Sequence, residues 1–394
     1  MEKITCKGFK AAGIAAGIKP NNSKDLGIIF TIVPAVVAGV FTRNQIKAAP
    51  VLLDQQRIQN GYCRAVVANS GNANCYTGME GMAHAKMMAR AAAYALNLKE
   101  ENFMVASTGI IGQRLPIEKI ERAVPDLVQS LSDEGFTDFA KAIMTTDTVP
   151  KISFRKGLVG SNPYSIIAVA KGAGMIRPDM ATMLCFICTD AKVDNPFLQE
   201  ALTEAVNRSL NCITIDGDTS TNDTVLLLAN GLSGAILSTS DHKQEFTILL
   251  NDLLMDMALK LVKDGEGVTK VVRLCVHGAA DYRDAKKVLD TVAHSPLVKT
   301  AFFGQDANWG RIMMAVGRSG ARIDPERIDL YFDQIQLVEK GSYCGKESEK
   351  KAANVLKKAE FVVTIDLNIG SAKAWILTCD LSLDYVSINA DYRS

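Results

Sequence analysis

One run constrains this chain more than any other: Lys171-Gly-Ala-Gly-Met-Ile-Arg-Pro-Asp-Met-Ala-Thr182-Met-Leu-Cys-Phe-Ile-Cys-Thr-Asp190. Its first half is Gly-rich and broken by Pro178, which reads as a loop. Residues 183–188 are an apolar run, which reads as a buried strand. Thr182, behind the small Ala181, stands at the join. A threonine there is ordinarily a strand residue with its hydroxyl bonded locally. It gains a second chemistry if the peptide bond before it breaks. Its own α-amine then lies at fixed short range and serves as the base that a weakly nucleophilic hydroxyl needs. A free α-amine titrates near ~8, close enough to neutrality for proton transfer. The small Ala181 leaves its carbonyl open to the Thr182 hydroxyl. An N-to-O acyl shift and ester hydrolysis would cut the chain between them.

Length and charge exclude several classes. A chain of 394 residues can bury a large core and suits two domains. A net charge of +1 gives no footprint for nucleic acid or for a membrane surface. The longest mostly apolar stretch, residues 28–41, is too short to span a bilayer and contains Pro34. Lys7, Lys10 and Lys19 interrupt any signal-peptide pattern, so a cytoplasmic protein is expected. The nine cysteines are odd in number and scattered, as free buried thiols in a reducing compartment would be. Cys185 and Cys188 form a CxxC, but in a strand they point to opposite faces. The four histidines, at 84, 242, 277 and 294, have no ligand spacing. No metal is expected.

Local patterns place the elements. Strands are expected at 26–33 and 36–42, separated by Pro34, and at 65–74, 103–108, 164–170, 183–188, 224–229, 360–367 and 374–379. Helices are expected at 79–98, with Thr77 a candidate cap, and at 116–131, 246–262 and 282–293. A further helix at 195–210 is opened by Asn195 as N-cap and Pro196 at N1. Residues 330–358 turn charged and suit an edge region. The tail, 380–394, is nearly half aromatic and aliphatic, so it is expected to be docked.

Several stretches could carry chemistry, and each has a plainer reading. Ser107-Thr108-Gly109 closes a strand; it suits a tight turn, or an oxyanion held by a backbone N–H and a hydroxyl. Thr145-Thr146-Asp147 is a polar cap or turn. Lys171 sits where a substrate carboxylate or developing charge could be met, although a lysine is more often solvated. Gly172-x-Gly174 is no dinucleotide fingerprint, because Arg177 holds the third glycine position. Residues 216–223 imitate a cation loop but place Thr221 and Leu227 where an EF-hand needs Gly and Glu. Glu266, between Gly265 and Gly267, is a turn residue whose backbone can approach another group closely.

Taken in order, these motifs resemble the ornithine acetyltransferase family. These are the arginine-biosynthesis enzymes also called glutamate N-acetyltransferases, some with acetylglutamate synthase activity. The resemblance runs from about residue 4 to the end. It includes residues 39–50, the Asn-rich turn 69–74, residues 295–311 and the self-processing run itself, where Pro178-Asp179 replaces the usual Pro-Asn. It implies a two-domain α/β fold with paired β-sheets flanked by helices, N-terminal-nucleophile-like but of its own topology. It implies cleavage between Ala181 and Thr182 into an α chain, 1–181, and a β chain, 182–394, which stay associated as α2β2. It implies ping-pong transfer of an acetyl group from N²-acetylornithine to glutamate through acetyl-Thr182, with no cofactor. Thr108 and Gly109 match the family's oxyanion-hole pair. Thr145, Lys171, Thr182, Glu266, Asn389 and Ser394 match its substrate-binding positions. Whether acetyl-CoA is a second donor stays open. Two rivals remain: an amidase or aminopeptidase on the same nucleophile, with water as acceptor, and a binding protein whose chain is never cut.

Overall fold

The structure is a computed structural model that describes residues 4–177 and 183–391. It is a mixed α/β protein with two β-sheets flanked by helices, as expected. The chain divides into two compact units. One is built from residues 4–211 and 218–261, the other from 212–217 and 262–391.

In the first unit eight strands form one sheet: β1 (Phe9–Ile14), β2 (Leu26–Phe41), β3 (Tyr62–Asn72), β4 (Phe103–Ile110), β5 (Lys151–Val159), β6 (Asn162–Lys171), β7 (Leu184–Thr189) and β8 (Thr224–Ala229). The order is β4-β3-β2-β8-β7-β6-β5, with β1 beside β2. Its helices are α1 (Ala49–Arg57), α2 (Gly78–Ala95), α3 (Ile117–Gln129), α4 (Phe136–Ile143), α5 (Asn195–Arg208) and α6 (Ser240–Lys263).

The two strands expected around Pro34 are one. β2 runs through the proline, and only its pairing breaks, between Phe30 and Ala35. Arg64 of β3 donates to the freed carbonyls of Thr31 (3.0 Å) and Ile32 (3.1 Å), so the irregularity leaves them satisfied. Before the break β2 pairs with β1 and β3; after it, with β8. β2 thus links two halves of a sheet that folds over on itself. β3 and β6 are four places apart, about 19 Å in a flat sheet at ~4.8 Å per strand. Yet α4 touches both. Phe139 of α4 meets Phe186 of β7 edge-on at 5.4 Å, in a core shared with Met104 and Ala106 of β4. The close approach of α4 needs Gly13, where a Cβ would lie 2.1 Å from the Asp138 carbonyl oxygen.

Caps differ from expectation in two places. Thr77 makes no cap bond to α2; its hydroxyl donates to Asn74 Oδ1 instead. α5 is capped by Asp194, which accepts the Phe197 N–H at 2.9 Å, so Asn195 lies inside the helix. All nine cysteines are free, and burial pushes the Cys63 and Cys185 thiols up to about 12. Such thiols are inert rather than redox-active.

In the second unit six strands follow the order β12-β11-β10-β13-β9-β14. They are β9 (Val271–Ala279), β10 (Asp329–Phe332), β11 (Ile335–Glu339), β12 (Ser342–Tyr343), β13 (Glu360–Asp366) and β14 (Ala372–Cys379). The charged stretch 330–358 does supply one sheet edge. α7 (Tyr282–Ala293), α8 (Pro296–Phe303), α9 (Trp309–Gly317) and α10 (Lys346–Val355) share its core with alternate residues of β9, such as Val272, Leu274 and Val276. Residues 295–311 are therefore helical, with Ser295 and Asn308 as caps. The tail forms α11 (Leu383–Asp391), but it buries no residue, and Leu383 and Val386 are exposed. The docking expected from its composition is absent from these residues; polar contacts hold the helix. Among the described residues no helix is long and apolar enough to cross a membrane.

Candidate active site

β6 delivers Lys171 to the mouth of the loop, and β7 leaves the loop at Leu184; the two residues pair across the strands. The expected cut therefore lies on a connection within one sheet. Ala181 and Thr182 themselves, like Ser394, lie outside the described residues.

Lys171 is buried, and its Nζ donates to Thr145 Oγ1 at 3.1 Å. Thr145 follows the C-terminus of α4, whose last carbonyls are taken up from outside the helix: Ser70 Oγ donates to Ala142 O (2.6 Å) and Lys19 Nζ to Met144 O (2.7 Å). The turn is then organised by Asp147. Its carboxylate accepts the Thr145 N–H (3.0 Å), the Gly172 N–H (2.7 Å) and Lys151 Nζ (2.6 Å). One carboxylate thus fixes both the segment bearing Thr145 and the residue after Lys171. Burial works against its charge, but Lys171 and Lys151 beside it hold the carboxyl below its ordinary value. Burial also lowers the Lys19 ammonium, with Asp25 opposing and Lys171 adding to the fall. Positive charge gathered around a hydroxyl in a water-poor turn suits recognition of an anionic group.

Thr108 and Gly109 end β4, where the parallel ladder to β3 becomes irregular at Gly71 and Asn72. Gly109 has φ +129°, and a Cβ there would lie 2.4 Å from the Gly71 carbonyl carbon, so only glycine fits. This corner is tied to the turn before β8. Asn222 Nδ2 donates to Ala73 O (2.7 Å) and Ser107 O (2.8 Å), and the Ala48 N–H donates to Thr221 O (3.0 Å). These bonds close the folded sheet. The next residue, Asp223, accepts the Met183 N–H at 3.0 Å. The loop read as 216–223 is therefore no single turn: Asp216 and Gly217 belong to the second unit and 218–223 to the first.

In the second unit Glu266 is buried, and Asn389 Nδ2 donates to its Oε2 at 2.8 Å. The same nitrogen donates to Tyr385 O at 3.0 Å, which orients it from within α11. Gly267 (φ +65°) lets the loop lie against the start of α11; a Cβ would meet the Tyr385 nitrogen at 2.5 Å. Two residues far apart in sequence and matched only by resemblance thus touch directly. Asp147, Lys151 and Asn222 were not singled out from sequence. A lysine opening a strand four residues after an aspartate was the one local hint, at 147 and 151.

Residues 10–394 match the ArgJ family. The arginine biosynthesis bifunctional protein ArgJ of Syntrophotalea carbinolica is 51% identical over 393 residues, covering 99% of this chain and 100% of that protein.

This chain belongs to the ArgJ family.

The protein of the same name from Geobacter sulfurreducens is 49% identical over 393 residues, with 99% and 100% covered. A crystal structure of the bifunctional ArgJ of Bacillus halodurans is 41% identical and covers 52% of this chain and 98% of that one, with a TM-score of 0.49. Family membership thus rests on full-length sequence identity.

Proposed function

We propose that this chain is a glutamate N-acetyltransferase of arginine biosynthesis, which cuts itself between Ala181 and Thr182 and works through an acetyl-Thr182 ester. The observation that carries the reading is the Lys171–Thr145 contact, held by Asp147 at the mouth of the loop that bears Thr182, in a chain that matches the family from end to end.

The chemistry follows from the residues. The freed α-amine of Thr182 takes the proton of its hydroxyl, the oxygen attacks the acetyl carbon of N²-acetylornithine, and the amine returns the proton to the departing ornithine nitrogen. Glutamate's α-amine then attacks the ester, and the Thr182 oxygen recovers its proton. The tetrahedral oxyanion of each half is met by the Thr108 hydroxyl and the Gly109 N–H; one such donor is worth ~10²–10³ in rate. Lys171 and Thr145 recognise a substrate carboxylate. Glu266, oriented by Asn389, recognises a substrate ammonium, and Ser394 completes that end. The ester carries the group, so the reaction needs no cofactor. The α and β chains remain together as α2β2 in the cytoplasm.

Intact mass of the denatured protein, followed by acetyl transfer from N²-acetylornithine to glutamate, tests the reading. Two chains and transfer that exceeds hydrolysis support it; a parallel reaction with acetyl-CoA reads the second donor. Two chains with hydrolysis alone would make the protein an amidase. One intact chain without activity would overturn the nucleophile.

A further inference from the structure

A buried carboxyl group beside the loop has no part in the chemistry above. Asp223 lies between the 218–222 turn and β8 and is fully buried. Its Oδ1 accepts the Met183 N–H at 3.0 Å. Its Oδ2 is also buried and makes no hydrogen bond among the described residues. An open oxygen of this kind is costly and calls for a reason in a native protein.

The place of the hydrogen bond supplies one. Met183 N is the amide nitrogen joined to the Thr182 carbonyl, so the bond grips the peptide group that follows the nucleophile. The carbonyl of Met183 accepts the Thr224 N–H at 3.1 Å, so Met183 is held at both ends by consecutive residues. These residues are anchored in turn. The Thr42 N–H donates to Asp223 O at 3.0 Å, and Asn222 is bonded to Ala73 and to Ser107, which precedes Thr108. A chain of short contacts thus joins the peptide after Thr182 to the strand end bearing Thr108 and Gly109.

We propose that Asp223 is a positioning residue for the nucleophile, holding the Thr182–Met183 peptide group in register with the Thr108–Gly109 corner for both scission and acetyl transfer. This rests on the Thr182 reading above. Burial pushes the Asp223 carboxyl well above its ordinary value; the Met183 N–H and Lys171 oppose that without cancelling it. The group therefore acts at neutral pH as an uncharged acid, with Oδ1 accepting and Oδ2–H free to donate. It holds rather than abstracts a proton. Asparagine reproduces that acceptor and donor in the same shape, and alanine reproduces neither.

The test uses the full-length chain as wild type, Asp223→Asn and Asp223→Ala. Scission is followed by intact mass, folding by circular dichroism and thermal unfolding, and transfer by kcat and KM on the cut fraction. Asp223→Asn should cut within about threefold of wild type. Asp223→Ala should cut at least about a hundredfold more slowly and, once cut, lose kcat with little change in KM. If alanine does not fold, Asp223→Leu fills the space without an acceptor and should show the same defect. Alanine or leucine variants that cut and transfer at wild-type rates would overturn the proposal. So would a folded asparagine variant as impaired as alanine, which would make the acidic proton the functional element. A wild-type chain that never cuts would instead sink the Thr182 reading, and this proposal with it.

Discussion

Lys151 Nζ and Asp147 Oδ1 meet at 2.6 Å with both side chains shut off from water. A buried pair of this kind does little net work for stability, yet losing one partner strands the other charge, at a cost of ~3–5 kcal/mol. Asp147 also fixes the backbone on either side of the Lys171–Thr145 contact. Asp147→Ala is therefore expected to unfold at a much lower temperature. Asp147→Asn, which keeps acceptor and volume, should fold and raise KM for N²-acetylornithine more than it lowers kcat. Thermal melts beside steady-state kinetics check this; a normal KM in a folded Asp147→Asn would show that Lys171 needs no such support.

Asn389 offers the opposite case. It reaches Glu266 from a helix that buries no residue. Asn389→Ala should leave the melting temperature within a few degrees of wild type. It should raise KM about ten- to a hundredfold, matching the ~1.5–3 kcal/mol of a hydrogen bond to a charged group. Kinetics and calorimetry on one sample decide between that outcome and a merely structural contact.

Asp54 predicts a pH dependence of stability. Its Oδ1 accepts the Val105 N–H at 2.9 Å, and its Oδ2 is buried without a hydrogen bond among the described residues. Burial raises its carboxyl well above the ordinary value, against the Val105 N–H and Arg57. The folded state then keeps a proton that the unfolded chain releases near pH ~3.9. Stability from this group is whole below that pH and falls as pH rises toward the folded value, by up to ~1.4 kcal/mol per unit. Asp54→Asn keeps the acceptor and removes the titration. Its melting temperature should gain on wild type steadily from pH 5 to pH 8, and parallel curves would refute the assignment.

Thr182→Ala removes the hydroxyl that attacks the Ala181 carbonyl. The variant should run as one chain of 394 residues, without transfer activity. Scission that persists in it, seen by mass, would place the nucleophile elsewhere.

Some of this was legible in local pattern. The apolar run 183–188 became β7, the helix expected at 282–293 became α7 with the same bounds, and Lys171 stands at the end of its strand. Each signal lies within a few residues: periodicity, a Gly–Pro boundary, a charge at the end of an apolar run. Pro34 misled, because a proline ends a strand only where its missing N–H is needed, and here the ladder skips that stretch. The cap of α5 was misplaced by one residue, because capping depends on backbone angles that Asp194 adopts and Asn195 does not.

By itself, then, the sequence determined the nature of the chain: an α/β protein, its strands and most of its helices, its family, and the loop on which its chemistry is expected to centre. Only the tertiary structure decided which polar groups serve that loop. Asp147 becomes a hub because β5 and β6 pair and bring Lys151 and Gly172 to one carboxylate. Asp223 reaches Met183, forty residues earlier, because β7 and β8 lie parallel and adjacent. Asn389 finds Glu266 across 123 positions. Periodicity reports which way a side chain faces; it carries nothing about which distant strand will lie beside it, and a buried carboxylate takes its meaning from that neighbour.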